Sequence, residues 1–330
     1  GFTVWYDVFL GDSLVCEDLR KRHFTFNNLD PNKTYQLSVL TRDRQGKESM
    51  VTENCISLKS GAFLGLLSDY FDGRPREYGI YEPSDKWEGK RPVVIYLHGH
   101  GHYIWPFMME RYFPQKAEKE GFIFLMPQAF EAEQGQPAWQ PEYYSNWNDF
   151  AFIDELIEKM INENDADRER IYLSGFSNGG FMTYLTAKKL EHKLAAIAPM
   201  GGLISTYEFP KYSLRERMPL CHIHGSADDV VELYGNDTHV SFDLVLEQFL
   251  GFNQLMQEPI VYDLPDKNRN DNSTITRYDY QNSNEETWVR FYLVNNGKHS
   301  YPGIQNWSNM DAHAADLIWE FCNNFKLSDK

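Results

Sequence analysis

Residues 171–180 read IYLSGFSNGG, an apolar run of strand type that passes straight into Gly-x-Ser-x-Gly, with a helix-compatible segment at residues 181–190 behind it. A serine held at so sharp a strand-to-helix turn needs small neighbours, because the strained backbone and the close packing leave no room for a Cβ at the flanking positions. Gly175 and Gly179 supply that room. The helix that follows directs its positive N-terminal end at the place where an oxyanion would develop. Ser177 is therefore the candidate nucleophile, and strands covered by helices are the expected surroundings.

The rest of the chain carries that pattern from about Gly61 onward. Apolar runs of strand length at residues 93–97, 122–126, 170–174, 195–200, 220–224 and 289–294 alternate with longer amphipathic stretches, which predicts a mostly parallel sheet covered by helices. Helical spacing at residues 150–162 aligns Phe152, Ile153, Leu156, Ile157 and Met160, and residues 311–325 repeat it. The polar stretch 266–273 is predicted to be a loop before a last strand pair. Residues 1–60 differ: short alternating strands at 3–10, 23–26 and 34–42, separated by Gly-Asp, Asp-Pro-Asn and Gln-Gly turn signals, predict a small antiparallel module. The 330-residue length accommodates this division into residues 1–60 and 61–330, with the apolar residues 62–67 as the link.

A serine at its ordinary pKa is a poor nucleophile, so a base and an orienting acid are expected in the chain order Ser, Asp or Glu, His. Residues 220–224 run into Gly225-Ser226-Ala227-Asp228-Asp229, which puts an acid just past a strand: Asp228, with Asp229 as the alternative. Adjacent residues point in different directions, so only one of them can face the histidine. After residues 288–294 and the turn Asn295-Asn296-Gly297 comes His299, the candidate base. The run His98-Gly99-His100-Gly101-His102 follows another strand. Alternating histidines can ligate zinc, but two glycines at a strand end do not keep a straight alternation. The preferred role for the run is the second oxyanion donor, a backbone N–H of His100 with Gly101 as alternative, acting with that of Asn178. Aromatic residues gather in the loops expected near the same sheet end: Tyr103 and Trp105, then Trp139, Tyr143, Tyr144 and Trp147. Tyr103 and Trp139 are the candidates for stacking on an aromatic acid or a sugar face.

Composition removes other classes of function. Acidic side chains outnumber basic ones 48 to 32, and a net charge of −16 would be repelled by phosphate backbones and anionic lipid, so no nucleic-acid or membrane-surface partner is expected. The longest apolar run, residues 194–204, is broken by Pro199 and falls well short of the roughly 20 residues a spanning helix needs. Cys16, Cys55, Cys221 and Cys322 form no CxxC pair and no zinc-like grouping, so no structural metal is expected. Cys16 and Cys55 both lie in the small module, where a bridge between them is predicted for an exported chain. Gly1 reads as the start of a mature or trimmed chain.

Taken together, Ser177-Asn178-Gly179-Gly180 with Phe181-Met182, His224-Gly225-Ser226-Ala227-Asp228, and His299 followed by Pro302-Gly303 resemble the secreted esterase group of feruloyl esterases, acetylxylan esterases and polyhydroxyalkanoate depolymerase-like enzymes. The resemblance spans residues 73–325 and includes Arg91-Pro92, Leu97-His98-Gly99, Glu120-Gly121-Phe122 and Ala314-Ala315-Asp316 with Trp319. It implies an α/β-hydrolase fold, carboxylic ester hydrolysis without a cofactor, and a secreted or periplasmic location. The implied substrate is an acylated oligo- or polysaccharide of plant origin, feruloyl first and acetyl second. Two departures stand out: Tyr301 occupies the position where the group usually has Trp, which makes Tyr301 a further candidate substrate contact, and the histidine run replaces small residues. Leu29, Pro31, Tyr35 and Val39, then Asp43, Gly46 and Ser49, resemble the late strands of a fibronectin type III β-sandwich, of which only a partial copy would fit here. The rival readings are a peptidase of the same fold and a non-catalytic carbohydrate-binding or adhesion protein.

Overall fold

The computed structural model describes residues 5–10, 12–19, 36–42, 47–54, 63–71, 73–84, 87, 89–104, 112–131, 135–140, 148–256, 258–303 and 308–330. Near the N-terminus, β1 (Trp5–Leu10), β2 (Ser13–Leu19), β3 (Gln36–Arg42) and β4 (Glu48–Asn54) form one antiparallel sheet in the order β2-β1-β3-β4. Val8 pairs with Val39 in its middle, and Asp7 forms an ion pair with Arg42. Leu29, Pro31, Tyr35, Asp43 and Gly46, which carry the fibronectin resemblance, and the strand expected at residues 23–26 lie outside the described residues. Cys16 is a free thiol directed at the Glu17 carbonyl, which departs from the expected Cys16–Cys55 bridge; Cys55 is likewise outside the described residues.

A second sheet carries the rest: β5 (Phe63–Phe71), β6 (Arg74–Glu82), β7 (Arg91–Leu97), β8 (Ile123–Pro127), β9 (Ala166–Phe176), β10 (Ala196–Met200), β11 (Leu220–Gly225), β12 (Ile260–Asp263), β13 (Thr274–Gln281) and β14 (Thr287–Asn295). Its order is β12-β13-β14-β11-β10-β9-β7-β8-β6-β5. The six central strands from β14 to β8 are parallel, and the outer pairs run antiparallel. With helices on both faces, this is the α/β-hydrolase fold.

The central strands are buried on both sides, which is why the sequence reads there as unbroken apolar runs. Alternate side chains feed two cores. Ile95, Leu97, Leu173 and Ile197 pack against α2 (Asp149–Glu163), α3 (Asn178–Leu190) and α4 (Phe242–Asn253); Val94, Tyr96, Tyr172 and Ala198 pack against α1 (Tyr112–Glu120) and α5 (Ala314–Cys322). The five apolar residues of α2 singled out by spacing are all buried, and the Asn148 side chain caps its first turn from the Ala151 N–H.

Two elements depart from expectation. Residues 62–67 were expected as a link, yet Phe63 already opens β5, which pairs with β6 from Phe63↔Glu82 to Phe71↔Arg74. The Asp72-Gly73 pair between them is a hairpin signal, and Gly73 adopts φ +70°, a conformation glycine reaches without Cβ strain. β12 was also unforeseen, because all four of its residues are exposed and give no burial pattern.

Candidate active site

β9 ends at Phe176 and α3 begins at Asn178, so Ser177 alone makes the turn. It sits at φ 55°, ψ −119°, a conformation sparsely populated by residues with a Cβ. The surrounding backbone holds it there: the Ser177 N–H donates to the Met200 carbonyl at 2.9 Å and its carbonyl accepts from the Phe181 N–H at 3.0 Å. The glycines are sterically required. A Cβ at Gly175 would lie 2.4 Å from the Gly179 oxygen, and one at Gly179 would lie 2.0 Å from the Leu97 oxygen. The Ser177 side chain makes no capping bond to the helix. Its Oγ lies instead 2.8 Å from Nε2 of His299.

His299 is delivered by the loop after β14, the neighbour of β11 in the sheet. Its Nδ1 lies 2.8 Å from Oδ2 of Asp228, in the loop after β11. Of the neighbouring acids, Asp228 is 6% exposed and turned inward, whereas Asp229 is exposed. Oδ1 of Asp228 accepts the Val230 and Val231 N–H groups at 3.0 and 2.8 Å, which fixes the other carboxylate oxygen toward the histidine. Burial by itself would raise the Asp228 pKa; hydrogen bonds from His224, His299 and the Val231 N–H outweigh it and hold the carboxyl well below the usual carboxylate range. The group is ionised at neutral pH. The Phe176 ring lies 4.8 Å from the His299 ring and backs it from the sheet side.

The other sequence candidates fall into two sets. His100 is exposed, and Gly101, at φ +72°, has its N–H committed to the Pro137 carbonyl at 2.8 Å. Tyr103 is 50% exposed. Trp139 and Tyr301, by contrast, are 2% and 6% exposed. The Trp139 indole N–H donates to the His98 carbonyl at 3.0 Å, while Tyr301 packs edge-on against Phe176 at 5.0 Å. Trp105, Tyr143, Tyr144 and Trp147 are outside the described residues.

The histidine run does not converge. His98 is buried, with Nδ1 2.7 Å from the Gly99 carbonyl and Nε2 accepting the Ala129 N–H at 3.0 Å, and burial brings its pKa down to about 4. His102 is also held low, by burial first and then by His299 and His100 nearby. Among the described residues, no group of three or more His, Cys, Asp or Glu side chains is set to hold a metal ion.

Sequence reasoning missed two neighbours. The Asn178 side chain binds the Trp139 main chain, and Nε2 of His224 lies 3.4 Å from Oδ2 of Asp228. The signal for the second was present: His222 and His224 stand two apart on a strand and so share a face.

Residues 80–250 match the model of the Phospholipase/Carboxylesterase family. The chain is 29% identical over 159 residues to the bifunctional acetylxylan esterase/xylanase XynS20E of Neocallimastix patriciarum, covering 48% of this chain and 22% of that one. It is 37% identical over 94 residues to acyl-protein thioesterase 1 homolog 2 of Dictyostelium discoideum, covering 27% of this chain and 42% of that one. These two matches thus reach less than half the length of either relative. A probable feruloyl esterase C of Aspergillus niger is 24% identical over 255 residues, covering 74% of this chain and 83% of its own. Among solved structures, the acetyl xylan esterase from Aspergillus awamori superposes with a TM-score of 0.57 at 15% identity, over 79% of this chain and 99% of that one, a likeness of fold.

Proposed function

We propose that this chain, which belongs to the phospholipase/carboxylesterase family, is a serine carboxylic-ester hydrolase with Ser177 as nucleophile, His299 as general base and Asp228 as its orienting carboxylate. The observation that carries the reading is the continuous contact from Asp228 Oδ2 through His299 to Ser177 Oγ, 2.8 Å at each step. Asp228, ionised and fixed by Val230 and Val231, keeps a proton on Nδ1 and leaves Nε2 free to take the Ser177 proton. The serine then attacks the ester carbonyl. The developing oxyanion is met by the Asn178 N–H at the start of α3 and by the His100 N–H, a choice favoured by the engagement of Gly101 elsewhere. His299 returns its proton to the leaving alcohol, and water repeats the sequence on the acyl-enzyme. No step calls for a cofactor.

For the substrate we favour an acyl group on an oligo- or polysaccharide of plant origin, feruloyl before acetyl, acted on outside the cytoplasm. The resemblance to secreted esterases and the likeness to the acetylxylan and feruloyl relatives support this. A thioester substrate is the second reading, favoured by the likeness to the acyl-protein thioesterase homolog. Of the candidate rings among the described residues, Tyr103 is the exposed one, and residues 61–330 carry the activity. The test is hydrolysis of nitrophenyl acetate by the wild type beside Ser177→Ala, followed by feruloylated and acetylated oligosaccharides and an acyl thioester. Equal rates for the two proteins would overturn the enzyme reading, and turnover of thioester alone would overturn the polysaccharide.

A further inference from the structure

Behind Asp228 the polar contacts continue into the core. Nε2 of His224 lies 2.7 Å from the Val231 carbonyl as well as 3.4 Å from Asp228 Oδ2. Nδ1 of His224 lies 3.0 Å from Nε2 of His222, and Nδ1 of His222 lies 2.9 Å from the Tyr184 hydroxyl. All three side chains are at most 1% exposed. Hydrogen-bond chemistry assigns every proton along this path. The two partners of His224 Nε2 can only accept, so Nε2 carries a hydrogen, and at the other end the buried Tyr184 hydroxyl, whose partner among the described residues is Nδ1 of His222, donates there. His222 must then donate from Nε2, which leaves Nδ1 of His224 to accept. Burial, and then the neighbouring His224, hold His222 far below its usual pKa, so it is neutral as the assignment requires.

We propose that Tyr184, His222 and His224 are a one-way donor chain that positions the Asp228 carboxylate. The proposal rests on the triad reading above. Its target is the turn at residues 228–231: the His224 N–H holds the Val231 carbonyl, while the N–H groups of Val230 and Val231 hold Asp228 Oδ1. Fixing the His224 tautomer therefore fixes the turn that aims the carboxylate at His299. Tyr184 stands on α3, about two turns beyond Ser177. The path Tyr184–His222–His224–Asp228–His299–Ser177 thus leaves the nucleophile helix and returns to it. Position 222 needs a side chain that accepts on one side and donates on the other. An apolar ring would satisfy the stacking on Phe242, at 4.3 Å between centroids, and nothing else.

That distinction supplies the test. In the 15N-labelled wild type, His222 and His224 are expected to carry their ring hydrogen on Nε2, with N–H protons slow to exchange; a hydrogen on Nδ1 of either would overturn the proposal whatever the enzyme's activity. In turnover, groups that orient a reacting side chain are worth about 10- to 100-fold. His222→Gln can accept from Tyr184 and donate to His224, so it is expected to keep kcat within about tenfold of wild type, whereas His222→Phe, which keeps the stacking, loses about 100-fold with KM little changed. Tyr184→Phe should fall between them. If His222→Phe, folded by circular dichroism, matches or exceeds His222→Gln, the side chain serves packing and the proposal fails. Failure of the triad reading would look different: Ser177→Ala would then be as active as wild type.

Discussion

The side-chain amide of Asn178 is hydrogen-bonded at both ends to a single residue, Trp139: Oδ1 accepts the Trp139 N–H at 2.7 Å, and Nδ2 donates to the Trp139 carbonyl at 3.2 Å. It behaves like one rung of a sheet and ties the segment before α2 to the start of α3. Asn178→Ala leaves both main-chain groups of a buried tryptophan unpaired, a cost of about 1–3 kcal/mol. The proposed oxyanion donor, the backbone N–H of residue 178, survives the change. Urea unfolding should show the loss while kcat falls less than about tenfold. A kcat loss above 100-fold at unchanged stability would mean that the amide acts on the substrate.

Ser177 holds a positive φ that glycine reaches at no steric cost, and strain of this kind is worth about 1 kcal/mol or more. Both Ser177→Ala and Ser177→Gly remove the hydroxyl and its contact with His299, so both are expected to be inactive. The glycine variant should nevertheless melt about 1–2 °C above the alanine variant for each kcal/mol of strain relieved. Equal melting temperatures would show that the surrounding bonds have absorbed the strain.

Asp228→Asn is expected to lower ester turnover by about 10⁴, because an amide facing Nδ1 favours the wrong tautomer of His299. It also removes a carboxylate whose folded pKa lies below its unfolded value of about 3.9. A group depressed in this way stabilises the fold above its unfolded pKa, and that contribution is lost as pH falls toward the folded value. The stability gap between wild type and variant should therefore be full at pH 6 and narrow below about pH 4. A gap independent of pH would contradict this.

His98 is a base, and its sign is opposite in origin. Its pKa is lowered from 6.5 to about 4 by burial, so between those values the unfolded chain takes up a proton that the folded protein refuses. Stability is complete above pH 6.5 and falls as pH drops toward 4, by up to about 1.4 kcal/mol per pH unit for one group. His98→Gln should remove that part of the slope measured from urea midpoints between pH 6.5 and 5. An unchanged slope would assign the pH dependence to other groups, the buried His222 first.

Removal of residues 1–60 should leave ester hydrolysis within a few-fold of the full chain, since β5 starts at Phe63 and each member of the proposed triad lies beyond it. Loss of turnover in a truncated chain that folds by circular dichroism and gel filtration would show that the first segment shapes the cleft.

The elbow at Ser177 was legible because sterics write it into the sequence: two glycines are compulsory where a Cβ would strike the carbonyls of Gly179 and Leu97. The parallel strands were legible for a similar reason, burial on both faces. Asp228 and Asp229 are adjacent carboxylates with no sequence signal to part them, and the turn that lends two N–H groups to Oδ1 shows which one faces in. The burial of Trp139 was not legible, because composition cannot tell a ring that faces a ligand from one that is packed. The chain through His222 and His224 left only an alternation, and its partner Tyr184 stands on a distant helix that no local pattern connects to β11.

His299 follows β14, and β14 is laid between β11 and β13 rather than at an edge. A nascent chain can form the serine turn and the Asp228 loop while the strand that belongs beside β11 is still being synthesised. The proposed base arrives only when that late strand docks, a pairing between segments far apart in sequence and hence slow to close. If His299 is the base, as proposed, the nascent chain is inert at first, and ester cleavage would begin only once translation has gone past residue 299. During that interval the open flank of β11 is the surface that a chaperone would have to guard.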